Sequence, residues 1–385
     1  MLRSLYSGIS GLRSHQTMLD VTGNNIANVN TAGFKGSSVE FQDTLSQLVR
    51  NSALPQDDTG GSNPAQVGLG VQVAAITTNF AQGAAQSTGV PTHLMIAGDG
   101  FFVARSGGET SYTRNGAFAF DAQGRMVTAD GAFVQGWTAQ DGQITPGAAI
   151  GDITLPVGAV SPAVATTSAR VTGNLPGDAA VGETLLRDIT IYDAEGDAST
   201  LTLEFTRTAT GWDVASGTAT SSLTFTDGRL TGGGSLAVGP ITIDLTAVTG
   251  YAELSTLKVD GQDGRPAGTL QSYALSEDGS LVGTFTNGAT EVLARVALAT
   301  FVNPGGLEKA GSSRYVPTVN SGAAEIGAAG TDGMGSLISG ALEMSNVDLS
   351  QEFTNLIVAQ RGFQANARII TTSDEVLQEL TNLKR

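Results

Sequence analysis

The sequence contains no cysteine, so disulfides, thiol nucleophiles and thiolate metal ligands are all excluded. Histidine is nearly as scarce: His15 lies in an N-terminal periodic stretch and His93 beside Pro91. Two imidazoles in separate segments, with no thiolate, do not make a zinc or iron site. Charge is thin as well, 15% of residues against about 25% in an average soluble protein. Its basic part is the shorter one, with 20 Lys+Arg against 36 Asp+Glu, a net charge of −16 and a pI near 4.4. That balance argues against nucleic acid or an anionic membrane as a partner, since both attract basic patches. No run of eighteen apolar residues is present, so no membrane-spanning helix is expected. The N-terminus lacks a continuous apolar core and an A-x-A-like site, so Sec-type cleavage is not indicated and another machine would export the chain if it leaves the cell. No Gly-x-Ser-x-Gly elbow occurs, and the acidic pairs sit in Gly-rich turns. The sequence reads as a non-enzyme, with no catalytic residue, no cofactor and no metal ligands.

What the chain does have is glycine, 51 residues, and a length of 385 that allows two or three domains. A charge-poor, Gly-rich chain with mean hydropathy of +0.04 suits a surface that other subunits cover. Its organising stretch is the last forty residues. Leu349, Phe353, Leu356, Gln360, Phe363, Ala367 and Ile370 keep a spacing of four and three. The stripe then slips by one residue and continues through Ile369, Ser373, Val376, Leu380 and Leu383. Such spacing predicts a helix that packs along a seam. Asp348, with Gln351 three residues later, resembles a capping box and places the helix start near Leu349. At the other end Leu2, Leu5, Ile9, Leu12, Gln16, Leu19, Gly23 and Ile26 repeat the spacing, which predicts pairing of the first and last helices. The other face of the first helix, Ser4, Ser7, Gly8, Ser10, Gly11, Ser14 and Thr17, is small and neutral where a solvated face carries Lys and Glu. It suits close neighbours on several sides.

Between the helices the period changes to two. Val71–Val73, Leu94–Ile96, Phe101–Val103, Tyr112–Arg114 and Phe118–Phe120 read as short strands with Gly-rich turns. Gly98-Asp99-Gly100 is a tight turn and no dinucleotide fingerprint, because no helix opens after it. A second β segment runs from about Pro156 to Arg265. There Asp193, Glu195, Asp197 and Glu204 stand at calcium-loop offsets, but the glycine such a loop requires is Ala198, and a hairpin turn accounts for the same residues. Strand alternation returns at Leu270–Leu275, Leu281–Phe285 and Leu293–Ala299. Residues 36 to 70 are polar and turn-rich and read as an extended connector, with Ser37 to Arg50 a candidate short helix.

After the first helix comes Gly23-Asn24-Asn25-Ile26-Ala27-Asn28-Val29-Asn30-Thr31-Ala32-Gly33-Phe34-Lys35, dense in residues that tolerate left-handed backbone. This segment resembles the Asn-Asn-x-Ala-Asn-x-x-Thr-x-Gly-Phe-Lys motif of the bacterial flagellar rod and hook family. Gly98-Asp99-Gly100-Phe101-Phe102, Tyr112-Thr113-Arg114, Ser345-Asn346-Val347-Asp348-Leu349 and Ala359-Gln360-Arg361-Gly362-Phe363 are similar to further segments of that family. The motif residues are Asn24, Asn25, Ala27, Asn28, Thr31, Gly33, Phe34, Lys35, Asn346, Val347, Asp348, Leu349, Gln360 and Arg361.

The resemblance implies a mixed, mainly β fold in which paired, coiled-coil-like terminal helices carry two nested all-β domains. The expected division is a terminal helical domain of 1–30 with 346–385 and an extended connector over 31–70. A discontinuous inner β domain of 71–155 with 267–345 then holds an inserted outer β domain, 156–266. The implied function is a structural subunit that self-assembles into the flagellar hook, the flexible tubular joint passing torque from rod to filament. A distal rod subunit, or a secreted β-domain binding protein, is the alternative. Implied partners are further copies in a helical tube, the adjoining rod, hook-cap and hook–filament junction proteins, and the flagellar export apparatus. No nucleic acid or membrane insertion is implied, and the expected place is the extracellular hook, reached without a cleaved signal peptide. The expected subunit-interface residues are Leu2, Leu5, Ile9, Leu12, Leu19, Ile26, Leu349, Phe353, Leu356, Phe363, Ile370, Val376, Leu380 and Leu383.

Overall fold

A computed structural model describes residues 2–52, 54–55, 60–140, 142–145, 148–156 and 158–382, with the side chain of Leu2 outside the description. The chain divides into two compact units: Met1–Leu155 with Ala274–Val282 and Val292–Arg385, and Pro156–Tyr273 with Gly283–Glu291. The architecture is mainly β with one long helix at each end.

In the first unit, helix α1 spans Leu2–Ala27 and helix α2 spans Leu349–Asn382. At 1.5 Å per residue α2 is roughly 50 Å long. Its start follows from Asp348, whose carboxylate oxygen accepts the backbone N–H groups of Ser350 at 2.8 Å and Gln351 at 3.2 Å. Only the forward half of the capping box forms. The Gln351 amide turns along the helix and donates to Asn355 instead.

Residues 37–50 are not helical. They form strands β1 (Ser37–Asp43) and β2 (Ser46–Arg50), which pair antiparallel with β4 (Val71–Thr78) and β3 (Ala65–Gly68) respectively. The backbone gains a ladder partner from each side of the loop. These partners lie 15 to 41 residues away and override the weak helical pattern of a polar stretch. The ribbon rests on α1: Ser10 Oγ accepts the backbone N–H of Val71 at 3.3 Å, and the rings of His15 and Phe41 meet edge to face at 5.9 Å.

The β body of the first unit is drawn from both halves of the sequence. Phe101–Ser106 pairs with Glu109–Thr113 and with Phe133–Thr138, and Ala294–Ala299 joins both Trp137 and Phe101 in the ladder. Alternating side chains close an aromatic core of Phe101, Tyr112, Phe301 and Tyr315, with Tyr112 and Phe301 edge to face at 4.8 Å. Two further ladders, Leu94–Ala97 with Ser336–Ser339 and Ala85–Ser87 with Ala341–Glu343, fasten the start of this body to its end. The roots of α1 and α2 therefore leave it side by side.

The second unit is built on a nine-stranded sheet. Thr184–Tyr192, Ala198–Arg207, Gly211–Ser216, Ala219–Thr226 and Arg229–Gly232 follow one another antiparallel. Ile241–Thr249 comes next and pairs in parallel with Ser168–Asn174. The period of two is visible in burial: Leu203 and Phe205 are inside while Thr202 and Glu204 face water. Trp212, Phe205, Val171, Ile243 and Leu245 fill the core, each large apolar side chain contributing about 1.5–3 kcal/mol. The acidic 193–197 segment is a hairpin turn in which the Asp193 carboxylate accepts the N–H groups of Glu195 and Asp197. Among the described residues no cluster of metal-ligating side chains is present.

Candidate functional site: the helix roots and the exposed helical face

The motif residues after α1 and before α2 meet in one junction. Asn25, 1% exposed, exchanges two hydrogen bonds with the backbone of Ser37 and donates a third to Glu352 of α2 at 3.1 Å. Asn24 and Asn28 bond each other, and Thr31 donates to Asn28, which shapes the turn that ends α1. Ala27 is exposed at the end of that helix. Gly33 stands at φ +67°, and a Cβ there would lie 2.5 Å from the backbone nitrogen of Asn115. Only glycine fits that position. Phe34 lies under the Lys309 ammonium at 5.2 Å.

Lys35 is the centre of the junction. Its ammonium and the Glu343 carboxylate are both fully buried, with Nζ 2.6 Å from Oε1. Arg114 reaches the other carboxylate oxygen at 3.4 Å, and the backbone N–H of Gly83 donates to Oε1 at 2.8 Å. Lys35 also donates to the carbonyl of Ala81. Burial holds the Lys35 ammonium below the usual lysine value, against the attraction of Glu343. Burial lowers Arg114 too, opposed by Glu343 and Asp99. On the α2 side Asn346 accepts the N–H of Gly36 and donates to the carbonyls of Asn79 and Ala81. Val347 lies against Gly36, and Asp348 caps α2. The junction thus ties both helix roots to the body with buried polar groups that are nearly all partnered. It leaves out Gln360 and Arg361, which are exposed along α2, and Leu349, which is 40% exposed.

The helices run antiparallel, but the face on which they meet is not the apolar stripe. On α1 the buried residues are Gly8, Gly11, Ser14, Thr22 and Asn25; on α2 Ala359 is buried and Glu352, Gly362 and Asn366 are partly covered. Side chains this small let the two backbones approach, which a leucine seam would prevent. The apolar stripes lie beside this face, about a quarter of a turn round on an ideal helix. Leu5, Ile9, Leu12, Leu19, Ile26, Leu356 and Ile370 are half-buried as a result. Phe353 is 51% exposed, and Phe363, Val376, Leu380, Ile357 and Val358 are also open to water. The structure therefore brings together the α1 side of the predicted interface set and Leu356 and Ile370, and leaves the rest outward. Leu383 and the side chain of Leu2 lie outside the described residues. Soluble chains rarely leave so many large apolar groups on one element unless another surface covers them.

Lys35 and Arg114 were legible in the sequence as residues of the family-like motif segments, but nothing in the sequence pairs either of them with Glu343, a charge in the short Ala341–Met344 segment.

Comparison with known proteins agrees with this layout. The profile described as Flagella basal body rod protein matches residues 5–35. Flagellar hook protein FlgE/F/G D1 domain matches 95–168, and Flagellar basal body rod FlgEFG protein C-terminal matches 338–383. The chain is 39% identical to the flagellar hook protein FlgE of Borreliella burgdorferi over 442 aligned positions, covering all of both chains. It is 38% identical to FlgE of Treponema pallidum over 463 positions and 35% identical to the flagellar basal-body rod protein FlgG of Bacillus subtilis over 386, again covering all of each.

Proposed function

The chain belongs to the flagellar hook and rod protein family, and from that membership we propose that it is the structural subunit that self-assembles into the hook. Whole-length relatives named as hook proteins reach 39 and 38% identity, the rod protein of Bacillus subtilis 35%. The rod subunit is thus the alternative within the family, and a ligand-binding β protein has less to support it.

The observation that carries the reading is the exposed apolar flank of a helix pair already closed on itself. Phe353, Phe363, Val376 and Leu380 remain 38–51% exposed in the subunit. Burying the exposed half of each in a neighbour would contribute about 1 kcal/mol, repeated at every contact of a polymer. The terminal helices are the inner contacts of a tube. Residues 71–155 with 267–345 form the inner β domain, and 156–266 form the outer one. Rod, hook-cap and hook–filament junction proteins adjoin its ends, and the flagellar export apparatus delivers it to the extracellular hook. The role is mechanical, and catalysis has no part in it.

Electron microscopy of concentrated subunit tests the reading. Curved tubes are expected. Straight rods would favour the rod alternative, and a stable monomer at high concentration would refute both.

A further inference from the structure

The small-residue face between α1 and α2 contains a reciprocal arrangement. Gly11 and His15 are four residues apart on α1, and Gly362 and Asn366 are four apart on α2. A Cβ on Gly11 would lie 2.7 Å from the side chain of Asn366, and a Cβ on Gly362 would lie 2.5 Å from the ring of His15. Each helix thus presents one glycine and one side chain, and each side chain sits over the other's glycine. Asn366 is held in place by its own donation to the Gly362 carbonyl at 2.8 Å. His15 is braced from behind by Phe41 of β1, and its Nδ1 is buried with no hydrogen-bond partner among the described residues. The imidazole is therefore seated by shape alone.

We propose that this double seat is a register key: it fixes the antiparallel helices at one alignment and thereby fixes which apolar side chains face neighbouring subunits. The same alignment sets Gly8 against Ile370, where a Cβ on Gly8 would lie 3.3 Å from Cγ1, and Asn25 against Glu352. A slip of one turn in one direction puts His15 against Asn366, side chain on side chain. A slip in the other direction sets the two glycines face to face over a void. An apolar seam does not discriminate so sharply, because leucines one heptad apart are interchangeable. The importance of the key for assembly rests on the hook-subunit reading; its existence does not.

Because the chain has no cysteine, an introduced pair reports register without background. Cysteines at Gly8 and Ile370 read the observed alignment, and cysteines at Ser4 and Ile370 read the one-turn slip that sets the two glycine positions face to face. Oxidation rates are measured in dilute subunit, where no polymer is needed. Alanine is a better helix former than glycine, so without the key Gly362→Ala would strengthen the pair and speed the first disulfide. The key predicts the reverse: about tenfold slowing or more, the scale of an overpacked contact, with the slipped pair gaining. Adding His15→Ala to Gly362→Ala should then restore the native rate to within about threefold, because the ring that clashed is gone. Unchanged or faster oxidation in Gly362→Ala, or no recovery in the double variant, overturns the key. Failure of the wild-type chain to polymerise would count against the hook reading and leave these rates as they stand.

Discussion

Lys35→Met removes the ammonium from the junction while keeping most of the side-chain volume. In the wild-type chain that ammonium and the Glu343 carboxylate are 2.6 Å apart and both fully buried. Stripping one partner from such a pair costs about 3–5 kcal/mol, chiefly because the other charge stays desolvated. Here Glu343 keeps the Gly83 N–H and Arg114, and the Ala81 carbonyl keeps Asn346. The cost should fall at the lower end, about 3 kcal/mol. For a unit of this size about 2–4 °C is lost per kcal/mol, so the melting temperature of the first unit should drop by roughly 6–12 °C. Calorimetry reads the shift, and amide exchange locates it. Protection should fall in 85–115 and 336–343 and persist in 198–249. A shift below about 1 °C, or equal loss of protection in both units, would refute the assignment of Lys35 and Glu343 as the tie between the helix roots and the body.

Two further outcomes follow from particular residues. Asp263 accepts two backbone and two hydroxyl hydrogen bonds from Thr167 and Ser168, which outweigh the opposing effect of burial and hold its carboxyl far below the usual range. A depressed carboxyl stabilises the fold above the ordinary value of 3.8, and this stabilisation is lost as pH falls below it. Asp263→Asn should therefore flatten the acid limb of the second unit's melting curve below about pH 4, and an unchanged limb would count against the four-bond account. The second concerns the leading and returning strands of the second unit. Val160 pairs with Thr269 and Ser161 with Gly268. Replacing 156–266 by a short Gly-Ser bridge should leave a folded first unit that still forms tubes, with altered curvature or stiffness. Loss of all assembly would mean that the segment is no outer addition.

The sequence made some of this legible and hid the rest for physical reasons. The helix ends were readable because Asp348 is a side chain with one job, and the strands because Leu203 and Phe205 alternate with Thr202 and Glu204. The meeting face of the helices was not, since Gly8, Gly11, Ser14 and Gly362 carry no apolar signal while the stripe beside them does. Strands β1 and β2 were missed because their partners β4 and β3 supply the order that local composition lacks. The parallel alignment of Ser168–Asn174 with Ile241–Thr249 joins segments some seventy residues apart, and period alone does not name a partner. Lys35 and Glu343 are separated by 308 residues, and their pairing becomes visible only when the body closes.

The central claim is that the apolar flank of α2 is the contact surface of the polymer, and Phe353→Asp tests it most directly. The side chain is 51% exposed in the subunit, so the melting of both units should be unchanged. In the tube the substitution would forfeit about 1 kcal/mol of burial and add the several kcal/mol cost of a carboxylate without a partner. Sedimentation of subunit across a concentration series should show the critical concentration rising by about a hundredfold or more. Assembly of Phe353→Asp subunits at the wild-type concentration would contradict the claim.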